Sequence, residues 1–381
     1  MRGFPLKEKL EDSVRIVLDA SGGDHAPQAT IAGAVAAARA SGDQIILVGE
    51  QASLRAELAR HDTTNLDLPV VDAPELIEMT EHPAQAVRRK RNSSIAVGLR
   101  MVRDGAADAF VSAGHSGATM AGALFILGRI KGIERPCLVT RFPTVTGSVL
   151  LVDSGATTDC KPDYLVQFAQ MGSIYAQRLL DIGQPRDGLR ANAEEANKRD
   201  KLVQDTHALL LGQGGLRFVG NVEPKDMLIN DAADVVVADG FVGNLSLKFG
   251  EAMFKLITAV VANQLRRGLA PRLLAGAAPA LLALALPGRG RGRAALAGLT
   301  GLTLPAMAAL VPLLELRKRL DYRSEGGAPL LGVNGVAIIA HGKSDALAVE
   351  NAIGQARRAV QQRLVATLTS SLETVDLVPS A

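Results

Sequence analysis

Four strand-to-helix turns hold the residues whose types and spacing can do chemistry. The first, Asp19-Ala-Ser-Gly-Gly-Asp-His-Ala-Pro27, follows the β-branched run Val14, Ile16, Val17 and Leu18. Gly22 and Gly23 let backbone N–H groups come close to a ligand, Asp24 and His25 add polar side chains, and Pro27 suits the first turn of a helix through Ala40. That arrangement fits an anion, and it also fits an ordinary strand-to-helix turn with an N-capping aspartate. Three more turns share the pattern: Ser112-Ala-Gly-His-Ser-Gly-Ala118 after Asp108–Val111, Asp153-Ser-Gly-Ala156 after Val149–Val152, and Asp239-Gly-Phe-Val-Gly-Asn244 after Val235–Val237. All four belong at the carboxyl ends of strands, the edge where open α/β sheets bind ligands, so a shared cleft is expected. Neither G-x-x-x-x-G-K-[ST] nor a complete G-x-G-x-x-G occurs, so a nucleotide is not the default ligand.

The elements that must position these turns alternate strand and helix from Val14 to Val237, which predicts a three-layer α/β fold: a mostly parallel sheet with helices on both faces. A chain of 381 residues can bury a substantial core. With only Cys137 and Cys160, no disulfide framework or cysteine metal site is indicated. His25, His115 and His341 are scattered over unrelated loops, so no metal is assigned. Residues 1–12 contain no apolar core of signal-peptide length and are read as a solvated extension of a cytoplasmic protein.

Net charge is only +3, but it is unevenly spread. Between Glu251 and Glu315 there is no acidic residue, while Lys255, Arg266, Arg267, Arg272, Arg289, Arg291 and Arg293 supply seven positive charges, leaving the remainder at −4. Aromatic residues make up 3% of the chain and no stacking platform interleaves the arginines, so nucleic acid is a poor partner. An anionic membrane surface fits better, because the intervening residues are Leu, Ala, Val and Gly. Met253, Leu256, Ile257, Val260 and Val261 recur at helical spacing there, a pattern that core or dimer packing also explains. Residues 294–314 carry no charge over a bilayer-spanning length, yet their glycines, threonines and two prolines favour a surface or re-entrant segment.

The chain resembles the acyl-carrier-protein:phosphate acyltransferases of bacterial phospholipid synthesis. The resemblance rests on the first, second and fourth turns together with Val87-Arg-Arg-Lys-Arg-Asn-Ser-Ser94, Gly128-Arg-Ile-Lys-Gly-Ile-Glu-Arg-Pro136, Phe218-Val-Gly-Asn-Val-Glu223 and Gly327-Ala-Pro-Leu-Leu-Gly332. It implies transfer of a long-chain fatty acyl group from the carrier-protein thioester to inorganic phosphate, without cofactor. It also implies an isocitrate/isopropylmalate dehydrogenase-like fold, a homodimer, and a protruding helical arm in peripheral contact with the membrane. Such chemistry is mainly electrostatic, since thioester and phosphate are already activated donor and nucleophile. The family's basic position falls on Lys198 in Glu194-Glu-Ala-Asn-Lys-Arg199, with Asn197 or Arg199 open as alternatives because Gly188-Leu-Arg-Ala-Asn-Ala-Glu194 departs from the family's Asn-Ile-Gly-Thr pattern. Lys198 would neutralise phosphate or developing charge; otherwise it is a solvated lysine. Asn244 would donate to the oxyanion, or only cap its helix.

Phosphate-binding candidates are Gly22, Gly23, Asp24, His25, Lys90, Ser112, Gly114, His115, Ser116, Gly117, Asp153, Asp239 and Gly240. Lys90 lies in the basic turn Arg88, Arg89, Lys90, Arg91, which could meet phosphate or the acidic carrier protein, or simply face solvent. His115 stands where the family has asparagine and can be merely positional. Asp19, Asp153 and Asp239 share a strand-end setting better suited to capping or organising loops than to acid–base work. The domains expected are an α/β catalytic domain over 13–251 and 321–370, an arm over 252–320 with an Ala/Leu/Gly-rich insertion near 269–306, and a tail over 371–381. Two rival readings are a nicotinamide-dependent hydroxy-acid dehydrogenase-like enzyme and a catalytically silent membrane-docking scaffold.

Overall fold

Alternate residues of the first strand go to opposite cores. Ile16 and Leu18 pack with Ile45, Leu47, Val111 and Ile338, while Val17 packs with Ile46, Val48, Phe110 and Ile339. Both faces of such a sheet must be covered, and they are. Helices α1 (Gln28–Ser41), α6 (Pro162–Leu179), α10 (Ala346–Gln361) and α11 (Leu364–Thr374) contribute to the first core. Helices α3 (Pro83–Arg89), α4 (Ser94–Arg103) and α5 (Ser116–Gly122) contribute to the second. Helices α1 and α10 meet closely because Gly33 has no side chain: a Cβ there would lie 2.6 Å from that of Val349.

The computed structural model describes residues 13–192, 200–285 and 322–374. Lys198 lies outside the described residues, as do the extension 1–12, the insertion from 286 onward with Arg289, Arg291 and Arg293, the uncharged 294–314 stretch, and the tail from 375. Contacts divide the chain into two compact units, Met1–Asn244 with Tyr322–Ala381, and Leu245–Asp321. Of the second unit the described part is the helix α9 (Gly240–Ala285) beyond Asn244.

The first unit holds one 11-stranded sheet. Its order is β3 (Val70–Asp72), β2 (Gln44–Gly49), β1 (Arg15–Asp19), β4 (Ala109–Ser112), β11 (Val336–Ala340), β10 (Gly327–Leu331), β5 (Cys137–Pro143), β6 (Ser148–Val152), β9 (Val235–Val237), β7 (Arg186–Arg190) and β8 (Arg217–Val222). Pairing is parallel except at the consecutive β11–β10, β10–β5 and β5–β6 contacts. Two of these reversals are made by short connections, residues 332–335 between β10 and β11 and 144–147 between β5 and β6, while β10 and β5 are joined only through the intervening chain. Three reversals in a row leave β6, β9, β7 and β8 running opposite to β2, β1, β4 and β11.

This corrects the expectation of one shared cleft. All four turns do follow strand carboxyl ends, but those of β1 and β4 lie on one edge of the sheet and those of β6 and β9 on the other. Helix α1 also starts at Gln28, with Pro27 in the preceding cap position, one residue later than the sequence suggests.

Asp187 in β7 is a buried acid with one hydroxyl for a partner. Its Oδ1 accepts a hydrogen bond from the Ser173 hydroxyl at 2.6 Å, yet burial pushes the carboxyl up to about 7. Between about pH 4 and 7 the unfolded chain therefore sheds a proton that the folded chain retains, so this group's contribution to stability falls as pH rises through that window. Asp187→Asn is expected to be more stable than the parent at pH 8, by up to about 4 kcal/mol, and to lose that advantage near pH 4. Thermal unfolding of both proteins across that range tests this; a stability difference that does not change with pH contradicts it.

Candidate functional site

On the β1/β4 edge the organising group is Asp19, which is 1% exposed. Its Oδ2 accepts from the Ser112 hydroxyl at 2.7 Å, and the same Ser112 oxygen accepts from the Gly114 N–H at 3.0 Å. Burial lifts this carboxyl above its ordinary range, while the hydroxyls of Ser94 and Ser112 and the N–H groups of Ser21 and Gly22 pull it down. Glycine is required at 22 for this packing: a Cβ there would stand 2.3 Å from Asp19 Oδ2 and 2.9 Å from the Gly114 Cα. Gly23 takes a positive φ, after which the Asp24 N–H donates to the Gly342 carbonyl at 2.7 Å. The resulting cleft, about 300 Å³, has a polar floor of Asp19, Gly22, Gly23, Asp24, Gly114 and His115, and an apolar side of Leu76, Ile77, Met79 and Ile95.

Several candidates around that cleft are structural. His115 caps α5 by accepting from the Ala118 N–H at 3.4 Å, and its Nε2 stands 3.2 Å from the Glu81 carbonyl, so the ring is positional. Ser116 and Gly117 form the first turn of α5, where a Cβ at 117 would come 2.9 Å from Pro83. Lys90 donates to the Leu76 carbonyl at 2.7 Å and to Glu81 at 2.5 Å. Its charge is thus already paired, and the lysine ties the cleft wall to α3 instead of presenting a free cation. His25 is exposed and lies outside the cleft lining.

On the opposite edge Asp153 is fully buried and saturated with donors. Oδ1 accepts from the N–H groups of Leu138, Gly155 and Ala156, and Oδ2 from those of Ala156 and Thr157, at 2.7–3.0 Å. Burial raises its carboxyl and these four backbone groups oppose the rise. Such a carboxylate fixes a loop; it has no free position from which to move a proton. The start of α9 lies directly against that loop: a Cβ at Gly243 would stand 1.8 Å from the Asp153 carbonyl, and one at Gly240 would stand 2.6 Å from Asp153 Oδ2. Asp239 caps α9, its Oδ1 accepting from Phe241 and Val242 N–H at 3.0 Å each.

Since Asp239 does the capping, Asn244 is released from that role. Its side chain borders Gly155, and its carboxamide has no hydrogen-bond partner among the described residues. Cys160 is close by, donating to the Thr157 carbonyl at 3.3 Å. Burial, with the charge of nearby aspartates, pushes its thiol up to about 12, and burial lifts that of Cys137 well above its usual value. Both are protonated at neutral pH and are poor nucleophiles. The structure therefore brings together Asp153, Asp239, Gly240 and Asn244, and separately Asp19, Gly22, Gly23, Asp24, Ser112, Gly114 and His115. Sequence reasoning passed over Arg190, which ends β7 beside the first group; its one signal was a cation at the end of a strand whose neighbours end in candidate turns.

The model of the fatty acid synthesis protein family matches residues 14–286 and 291–367. A phosphate acyltransferase of Herpetosiphon aurantiacus is 75% identical over 368 residues, covering 97% of this chain and all of that protein. A phosphate acyltransferase of Pelotomaculum thermopropionicum is 44% identical over 364 residues, 96% of each chain. Among solved structures, a phosphotransacetylase of Staphylococcus aureus matches with a TM-score of 0.51 at 16% identity, over 93% of this chain and 97% of that one. A branched-chain phosphotransacylase of Enterococcus faecalis matches with a TM-score of 0.51 at 15% identity, over 91% and 99%. These two likenesses concern the fold, a mixed α/β architecture around a large, mostly parallel sheet. With a family model over most of its length and a relative at 75% identity, the chain belongs to the fatty acid synthesis protein family, and within it to the phosphate acyltransferases.

Proposed function

We propose that the edge formed by β6, β9 and β7 is where this phosphate acyltransferase moves a fatty acyl group from acyl carrier protein to inorganic phosphate. A phosphate oxygen attacks the thioester carbonyl carbon, the C–S bond breaks, and the proton of hydrogen phosphate passes to the departing thiolate, giving acyl phosphate and free carrier protein. The observation that carries this placement is the Asn244 carboxamide, without a hydrogen-bond partner among the described residues and beside Gly155, while Asp239 caps the helix. A carboxamide N–H held by a rigid helix start can donate to the carbonyl oxygen as charge develops on it. Lys198, carried over from the family resemblance, would balance the charge of phosphate.

Asn244→Ala and Lys198→Ala are each expected to lower kcat on the order of 10²–10³-fold with little change in Tm. Turnover of carrier-protein thioester with phosphate, measured beside thermal unfolding, separates the outcomes. Near-native turnover removes the residue from the reaction, and loss of folding assigns it to structure.

The described part of α9 beyond Asn244 supports a finer reading, peripheral attachment to an anionic membrane. Leu245, Phe249, Met253, Leu256, Ile257 and Val260 are 37–66% exposed and fall at helical spacing, with Lys248, Lys255 and Arg267 on the same helix. No helix of the described residues is long and apolar enough to cross a membrane. A homodimer that buries the same stripe is the competing occupant. The protein is expected to sediment with vesicles containing anionic lipid and to be partly released by salt. Equal pelleting with neutral vesicles removes the electrostatic contribution; no pelleting with either, together with a dimer in solution, assigns the stripe to self-association.

A further inference from the structure

The guanidinium of Arg190 is a half-buried cation that forms no ion pair among the described residues. Arg190 is the last residue of β7, and the pairing of Leu189 with Val237 places it beside Ala238, at the end of β9 and next to the turn that leads to Asn244. Its one described hydrogen bond goes to the carbonyl of its own neighbour, Ala191. No carboxylate of the described residues forms an ion pair with it. Glu223 attracts it from farther away and is itself paired with Lys225 at 3.7 Å.

The direction of the side chain follows from strand alternation. A Cβ on Gly188 would meet Val222 and Ala233, which share a small core with Ala238 and with Val242 in the first turn of α9. Arg190, two residues on, leaves the same face of the strand. Gly155, Asn244 and Arg190 therefore lie at the carboxyl ends of β6, β9 and β7, three adjacent strands, with a neutral donor at one position and, at another, a cation that no described carboxylate pairs.

Burial makes holding this charge costly, and among the described residues only the Ala191 carbonyl and the more distant Glu223 offset that cost. Two arginines at strand starts are treated differently: Arg15 is bidentate to Asp108, and Arg186 to Asp234, through two nitrogens each. A planar guanidinium presents paired N–H donors that match two oxygens of a phosphoryl group.

We propose that Arg190 binds the inorganic phosphate co-substrate at the carboxyl edge of β7, opposite Asn244, in two parallel N–H···O hydrogen bonds. The proposal rests on the reading of that edge as the site of acyl transfer. It makes Arg190 a determinant of phosphate affinity, with the carrier protein recognised elsewhere.

The test uses the full chain with Arg190→Gln and Arg190→Lys. In steady-state assays Arg190→Gln is expected to raise KM for phosphate about tenfold or more and to leave KM for the acyl carrier protein thioester within about twofold, with Arg190→Lys intermediate. In parallel, inorganic phosphate alone, without acyl donor, should raise the Tm of the parent and raise that of Arg190→Gln much less. An unchanged KM for phosphate, an equal rise in KM for both substrates, or an equal phosphate-dependent rise in Tm overturns the proposal. Unfolding of both variants overturns it as well, by making the arginine structural. A parent protein that is protected by phosphate in an Arg190-dependent way but transfers no acyl group would instead refute the reaction and keep the binding site.

Discussion

Burying a carboxylate at the end of a strand obliges the chain to surround it with N–H donors, and the second half of this sheet is arranged around that obligation at Asp153. Its donors come from the start of β5 and from three successive residues after β6, so a single side chain fixes both the hairpin and the loop. The loop in turn forms the floor on which α9 begins, and the fit is close enough that positions 240 and 243 accept only glycine. Asp239 holds the helix start from the other side. Among the described residues the Asn244 carboxamide is left without a hydrogen-bond partner, because Asp239 has taken the capping of the helix.

The other edge repeats the device with different donors. Asp19 is met by hydroxyls and by the N–H groups of its own glycine turn, which draws the β1 and β4 loops into backbone contact. The result is a cleft with a polar floor, walled by apolar side chains and anchored by the Lys90–Glu81 pair. Two similar motifs therefore give two different surfaces: a roomy cleft on one edge, and on the other a tight seam where, among the described residues, a carboxamide has no hydrogen-bond partner and a guanidinium has no ion pair.

A direct transfer needs no covalent intermediate on the protein, and the state of the side chains agrees with that economy. The two cysteines are held as thiols by burial, and the strand-end aspartates are committed to loops and helix caps. Charge placement is what the edge can offer. The rival hydroxy-acid dehydrogenase reading gives way to the family match, which covers residues on both sides of the long helix.

The sequence by itself determined four of the eleven strands, the four turns that follow them, and the family, because these depend on local pattern: β-branched runs, adjacent glycines, and aspartates at fixed offsets. It also indicated that Asp19, Asp153 and Asp239 would organise loops, since an acid beside small residues at a strand end is surrounded by backbone donors. The edge to which each turn belongs was decided only by the tertiary structure. Strand direction is set by long-range pairing, and three consecutive antiparallel contacts near the middle of the sheet separate turns that look alike in sequence. The same holds for partners. Whether a lysine is neutralised, as Lys90 is by Glu81 from nine residues away, or an arginine has no ion pair among the described residues, as with Arg190, depends on which side chains the fold brings near, and no spacing along the chain records that.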